Sequence, residues 1–131
     1  FDMAEPELAV QKEHGSDLPP VDLEGALFRF DGDRGFMMDM CREFRDHLPE
    51  RMVEIRAALE NKEYEKIGRL AHNLKGISLN FNAGALAELT AKLEIAGREK
   101  MVAQIPELVE RICVEADHVQ QYISRQLTTE D

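Results

Sequence analysis

Residues 34–60 read RGFMMDMCREFRDHLPERMVEIRAALE, and their apolar positions decide the fold. Met37, Met40, Cys41, Phe44, Leu48, Met52, Ile55 and Leu59 recur every three or four residues, the spacing of one buried helix face. The stripe keeps its phase through Pro49. The proline therefore bends one helix rather than dividing two, since it removes a hydrogen bond and crowds the preceding turn. A helix of this length buries a single stripe and needs apolar partners along all of it. Its expected span is 34 to 60, with Asp33 as N-cap and Asn61 taking the left-handed conformation that ends it.

The same period repeats on either side. Asp22 can cap a short helix that buries Leu23, Ala26, Leu27 and Phe30 and ends at Gly32. A third helix is expected over 62–81, then a turn marked by Asn82 and Gly84. The fourth, over 83–98, turns Leu86, Leu89, Thr90, Leu93 and Ala96 inward, with Gly97 near its end. The fifth, over 101–126, has Ile105, Leu108, Ile112, Ala116, Val119 and Ile123 at core spacing and tolerates Pro106 in its first turns. No stretch alternates β-branched residues as a strand does. The fold class is therefore all-α: an up-and-down antiparallel four-helix bundle with a short N-terminal helix as a lid. Residues 1–20, with Pro6, Gly15, Pro19 and Pro20 among charges, read as a linker or flexible arm, 21–127 as the folded domain and 128–131 as a tail.

A chain of 131 residues can build one core without metal or disulfide staples. Its formal charge of -10 opposes phosphate backbones and anionic membrane surfaces, so nucleic acid and direct membrane contact are not expected. No run approaches the roughly 18 apolar residues of a membrane span, and no basic stretch followed by an apolar one reads as a secretory signal. A start at Phe1 suggests excision from a longer polypeptide. Cys41 and Cys113, far apart on apolar helix faces, suit buried thiols in a reducing cytoplasm. Glu115-Ala116-Asp117-His118 matches the Glu-x-x-His spacing of di-iron bundles once, but such a site needs a second pair and two more carboxylates. No metal is expected. His118 reads as a solvated or capping residue, Glu43 with His47 as a surface pair, and His14 as part of the linker.

The third helix carries an outer face unlike an ordinary helix surface. At about 100° per residue, Ile67, Leu70, Leu74, Ile77 and Phe81 all fall opposite His72 and form the core stripe. His72 then points to solvent. Gly68 and Gly76 lie one turn before and after it, with Arg69 and Lys75 to either side and Glu65 and Leu79 further along. Each interior glycine costs roughly 1 kcal/mol relative to alanine. Two of them flanking one histidine would let a macromolecule approach the imidazole, while Arg69 and Lys75 supply charge for an anion. The bland alternative is a solvated histidine beside two harmless glycines.

The run Ala71-His72-Asn73-Leu74-Lys75-Gly76, followed by Asn80-Phe81-Asn82-Ala83, resembles the signature of histidine phosphotransfer (HPt) domains. Pro20-Val21-Asp22-Leu23, Leu48-Pro49-Glu50 and the leucine-rich fourth helix are similar to family features in the same order. The resemblance implies a phosphoryl carrier rather than an enzyme. His72 would accept a phosphoryl group on Nε2 from a receiver-domain phosphoaspartate and pass it to another receiver aspartate, with Lys75 stabilising the phosphoryl oxygens and Gly76 giving the receiver room. Gly68 is expected to add access, and Arg69 docking or phosphoryl charge. Asn82 stands where the family commonly has glycine, and asparagine tolerates positive φ. Glu94 stands where relatives often carry an orienting glutamine; a carboxylate there would repel a phosphoryl group unless it paired with Lys75 or held the imidazole N–H.

The resemblance further implies no cofactor of its own, with Mg²⁺ on the receiver, and response-regulator receivers as partners. Leu79, Phe36 and Met38 would give them apolar contact. It implies an isolated domain that is monomeric and cytoplasmic, the C-terminal module of a bacterial hybrid sensor kinase through which it could be tethered to the inner membrane. A helical interaction module that never carries phosphate is the alternative from a different functional class.

Overall fold

Three turns of one kind join the four long helices. Lys62, Asn82 and Lys100 each take positive φ, at 57°, 53° and 55°. The residue after each donates its N–H to the carbonyl five positions back: Glu63 to Ala58 at 2.9 Å, Ala83 to Ser78 at 2.8 Å and Met101 to Ala96 at 2.8 Å. This pairing satisfies carbonyls that the helix end leaves open, in a loop so short that the next helix must run back along the last. Asn61 does not take the left-handed conformation expected of it. Its φ is -88°, because its N–H still bonds to the Ala57 carbonyl at 3.0 Å, and the reversal falls on Lys62 instead.

The structure is a computed structural model and describes residues 18–130. Most of the expected linker, including His14, lies outside the described residues. The elements are α1 (Leu23–Ala26) running into a 3-10 turn (Leu27–Phe30), then α2 (Arg34–Glu60), α3 (Tyr64–Asn80) and α4 (Gly84–Arg98). A second 3-10 turn (Val102–Gln104) leads into α5 (Ile105–Glu130). α2 is continuous through Pro49. Asp22 and Asp33 cap as expected, their carboxylates accepting from Gly25 N–H at 3.1 Å and Phe36 N–H at 3.0 Å. α5 starts later than expected, which puts Pro106 at its second residue, and it continues past Gln126 through positions 128–130, read above as tail.

Each long helix packs on its neighbours in chain order and α5 closes against α2, so the architecture is an all-α four-helix bundle. Met37, Leu48, Ile55, Ile67, Leu74, Leu86, Leu93, Ile105, Ile112 and Ile123 are among its fully buried side chains. Thr90 is buried with them because its hydroxyl donates to the Leu86 carbonyl at 2.8 Å. At one end Phe30, Phe81 and Phe44 stack in series, with ring centroids 5.5 and 5.1 Å apart, which seats the N-terminal lid. Asn82 ties the lid down. Its side-chain oxygen accepts from Arg29 at 2.8 Å and its amide donates to the Asp22 carbonyl at 3.3 Å, contacts a glycine there could not make.

Candidate functional site

Ile67, Ala71, Leu74 and Ser78 are buried along α3 and fix its rotation, which turns His72 outward with its side chain 64% exposed. On α4, the inward turn of Leu93 and Ala96 leaves Glu94 at the seam with α3, where its side chain is only 8% exposed. A carboxylate so far from water needs partners. It has three: His72 Nδ1 at 2.9 Å and Arg98 Nη1 at 2.9 Å on Oε2, and Lys75 Nζ at 2.8 Å on Oε1.

Lys75's hydrogen bond holds the Glu94 carboxyl below the ordinary carboxylate range, against the opposing effect of burial and with a further contribution from His72. The group is therefore ionised at neutral pH. An ionised carboxylate only accepts hydrogen bonds, so Nδ1 is the donor, and in the neutral ring the lone pair falls on Nε2 across it. The arrangement thus offers an exposed nitrogen nucleophile, oriented from behind, with a cation one turn away.

Of the expected site residues, the structure brings Glu94 and Lys75 into direct contact around His72. Gly76 is exposed, and a Cβ built on it would meet nothing within 4 Å, so that side of the imidazole is open. Gly68 is placed differently from the expectation. It is buried, and a Cβ there would lie 3.4 to 3.5 Å from Arg98 Cγ, Arg98 N and the Glu94 carbonyl. The two glycines lean to opposite sides of His72, and α4 occupies the side of Gly68, which packs against it and also lines the hollow beside the imidazole. Arg69 is exposed and lines an open hollow beside His72 with Glu65, Gly68, Asn73, Glu94 and Arg98. Arg98 is a site residue the sequence reading missed, although its i, i+4 spacing from Glu94 is the usual signal of a helix ion pair.

Leu79 and Phe36 are both 51% exposed, whereas Met38 is only 7% exposed on the inward side of α2 and cannot be a surface contact. His118 stands 3.5 Å from Glu115 on the surface of α5. Among the described residues no three His, Cys, Asp or Glu side chains are placed to hold a metal ion. Cys41 is a buried free thiol, pushed up to about 11 by burial, and Cys113 is a half-buried one.

The family pattern described as the Hpt domain matches residues 39–125, a span that contains His72, Lys75, Gly76 and Glu94. Comparison with curated proteins finds no match. Two solved structures share the fold. Histidine-containing phosphotransfer protein B (HptB) from Pseudomonas aeruginosa PAO1 is 23% identical over 83% of this chain and 95% of its own, with a TM-score of 0.76. The HPT domain of a sensor hybrid histidine kinase from Shewanella is 18% identical over 86% of this chain and 97% of its own, with a TM-score of 0.77.

Proposed function

The chain belongs to the Hpt domain family, the histidine phosphotransfer carriers of two-component signalling, and from that premise we propose that His72 is its phosphoacceptor and exchanges a phosphoryl group with receiver-domain aspartates. The observation that carries this is the Glu94–His72 contact, which commits the proton to Nδ1 and frees Nε2 on an exposed ring. In acceptance, the Nε2 lone pair attacks the phosphorus of the phosphoaspartate. The Nε2–P bond forms as the P–O bond breaks, and that electron pair returns to the carboxylate. The Nδ1 proton stays on the ring against Glu94, so the step needs no separate base. The receiver supplies Mg²⁺ for the dispersed charge of the transition state, and the carrier supplies position and Lys75. Receivers dock on α2 and α3 around His72, with Leu79 and Phe36 as apolar contacts; the domain acts as a monomer on the cytoplasmic side. No helix among the described residues is long and apolar enough to cross a membrane.

Incubation with a phosphorylated receiver tests the reading. The label should map to the peptide containing His72 and be acid-labile and base-stable, as a phosphorylated imidazole is; an acid-stable label would assign the acceptor to a hydroxyl instead.

Two variants probe the neighbours. Lys75→Ala should slow transfer or lower phosphohistidine roughly tenfold, because a charge-assisted contact to phosphate is worth about 1.5 to 3 kcal/mol and partial exposure puts it at the low end. Arg69→Ala should cost less. Rates for both against one receiver at two salt concentrations check the ranking, and a larger loss for Arg69→Ala would mean that docking charge dominates. Gly76→Leu should slow transfer from a receiver while helix content, read by circular dichroism, stays level or rises, since leucine is the better helix former and the side chain meets only the incoming partner.

A further inference from the structure

Orientation alone does not call for a carboxylate at position 94. An amide oxygen would also accept the Nδ1 proton and would carry no charge. A carboxylate places a buried negative charge behind a ring that, once loaded, bears a phosphoryl group of about -1.5 to -2 against the single positive charge of an imidazole that keeps its Nδ1 proton, so the loaded group stays net negative. It also occupies the cation that group needs, since Lys75 Nζ is 2.8 Å from Glu94 Oε1 in the resting site.

We propose that Glu94 is a counter-charge that competes with the phosphoryl group for Lys75, and so makes the loaded carrier a stronger donor than an orienting amide would. This rests on His72 as phosphoacceptor and adds the residue that sets how readily the site unloads. Arg98 limits the effect. It shares Oε2 with His72 Nδ1, each at 2.9 Å, so when Lys75 turns to the phosphoryl oxygens Glu94 keeps a guanidinium and the imidazole N–H. A carboxylate left alone at this burial would be far more costly.

Onward transfer then runs as follows in atoms. A receiver carboxylate oxygen attacks phosphorus, the O–P bond forms as the P–Nε2 bond breaks, and the electron pair returns to Nε2. The Nδ1 proton remains on the ring and Lys75 returns to Oε1. Re-forming the Lys75–Glu94 pair favours the unloaded state.

The test is an equilibrium. Wild type, Glu94→Gln and Arg98→Gln are loaded with phosphoramidate, a small donor that phosphorylates imidazole directly, and mixed with one receiver domain. The ratio of phosphohistidine to receiver phosphoaspartate is then measured. Glu94→Gln should raise it several-fold, because Lys75 is then free for the phosphoryl oxygens and a unit charge is gone from beside a group that stays net negative. Arg98→Gln should lower it several-fold, because Glu94 is then less neutralised. A merely structural role would shift both variants in one direction. An unchanged or lower ratio in Glu94→Gln overturns the proposal while leaving the phosphoacceptor intact. Glu94→Ala keeps the test independent of geometry: it should accept more slowly yet show the raised ratio, and a lowered one counts against the proposal. A wild type that exchanges with no receiver removes the phosphoacceptor reading and this inference with it.

Discussion

A His72→Gln protein is expected to fold as the wild type does and to accept no phosphoryl group. The first half follows from exposure. The side chain lies outside the core, and its removal leaves Glu94 with Lys75 and Arg98, so no buried charge is orphaned. Losing one of three hydrogen bonds to a carboxylate that keeps both cations should cost about 1 kcal/mol, a shift of a few degrees in Tm. The second half follows from chemistry, because an amide nitrogen has no available lone pair. Thermal unfolding together with transfer from a phosphorylated receiver checks both halves. A helical module that never carries phosphate would lose nothing on this substitution. Label on His72→Gln at the wild-type level would move the acceptor elsewhere.

Most of the frame was legible because helical periodicity reports burial directly. The stripe from Met37 to Leu59 and the wheel that turned His72 outward needed only spacing. The motif added Lys75 and Gly76, and the departure at Glu94 was legible as a conflict whose two resolutions both hold in the structure: it pairs with Lys75 and holds the imidazole N–H. What spacing could not supply is which flank of a helix a neighbour occupies. Gly68 and Gly76 lie symmetrically about His72 on the wheel, and only the position of α4 shows that the first is buried against a neighbour while the second is open. Arg98 was hidden for the same reason, since an i, i+4 pair is common on surfaces and gains meaning only once Glu94 is buried. Asn61 misled because propensity favours asparagine at the reversal, while the hydrogen bond to Ala57 carries the helix one residue further.

Gly97→Ala should destabilise the bundle although it adds a single methyl group. A Cβ at Gly97 would lie 2.8 Å from both Gly68 N and the Tyr64 carbonyl oxygen, and 3.0 Å from Gly68 Cα. These are backbone atoms of α3, so no side chain can swing aside and the two helices must separate. Alanine gains roughly 1 kcal/mol of helix propensity, but overpacking costs about 1 to 3 kcal/mol and a rigid backbone places this site at the upper end. The net loss should be about 1 to 2 kcal/mol, a fall in Tm of roughly 4 to 8 °C for a domain of this size. The controls run the other way. A Cβ at Gly76 meets nothing within 4 Å, and one at Gly68 makes contacts of 3.4 to 3.5 Å, so alanine at either should be neutral or stabilising. The cost should also reach the chemistry, because Glu94 sits one turn before Gly97 and any retreat of α4 lengthens its bond to His72 Nδ1. Unfolding curves for the three alanine variants, with transfer rates below the lowest Tm, test this ranking. A Gly97→Ala protein that melts at or above the wild-type temperature would show that the α3–α4 contact yields, and that the close approach of the two helices does not hold Glu94 against the histidine.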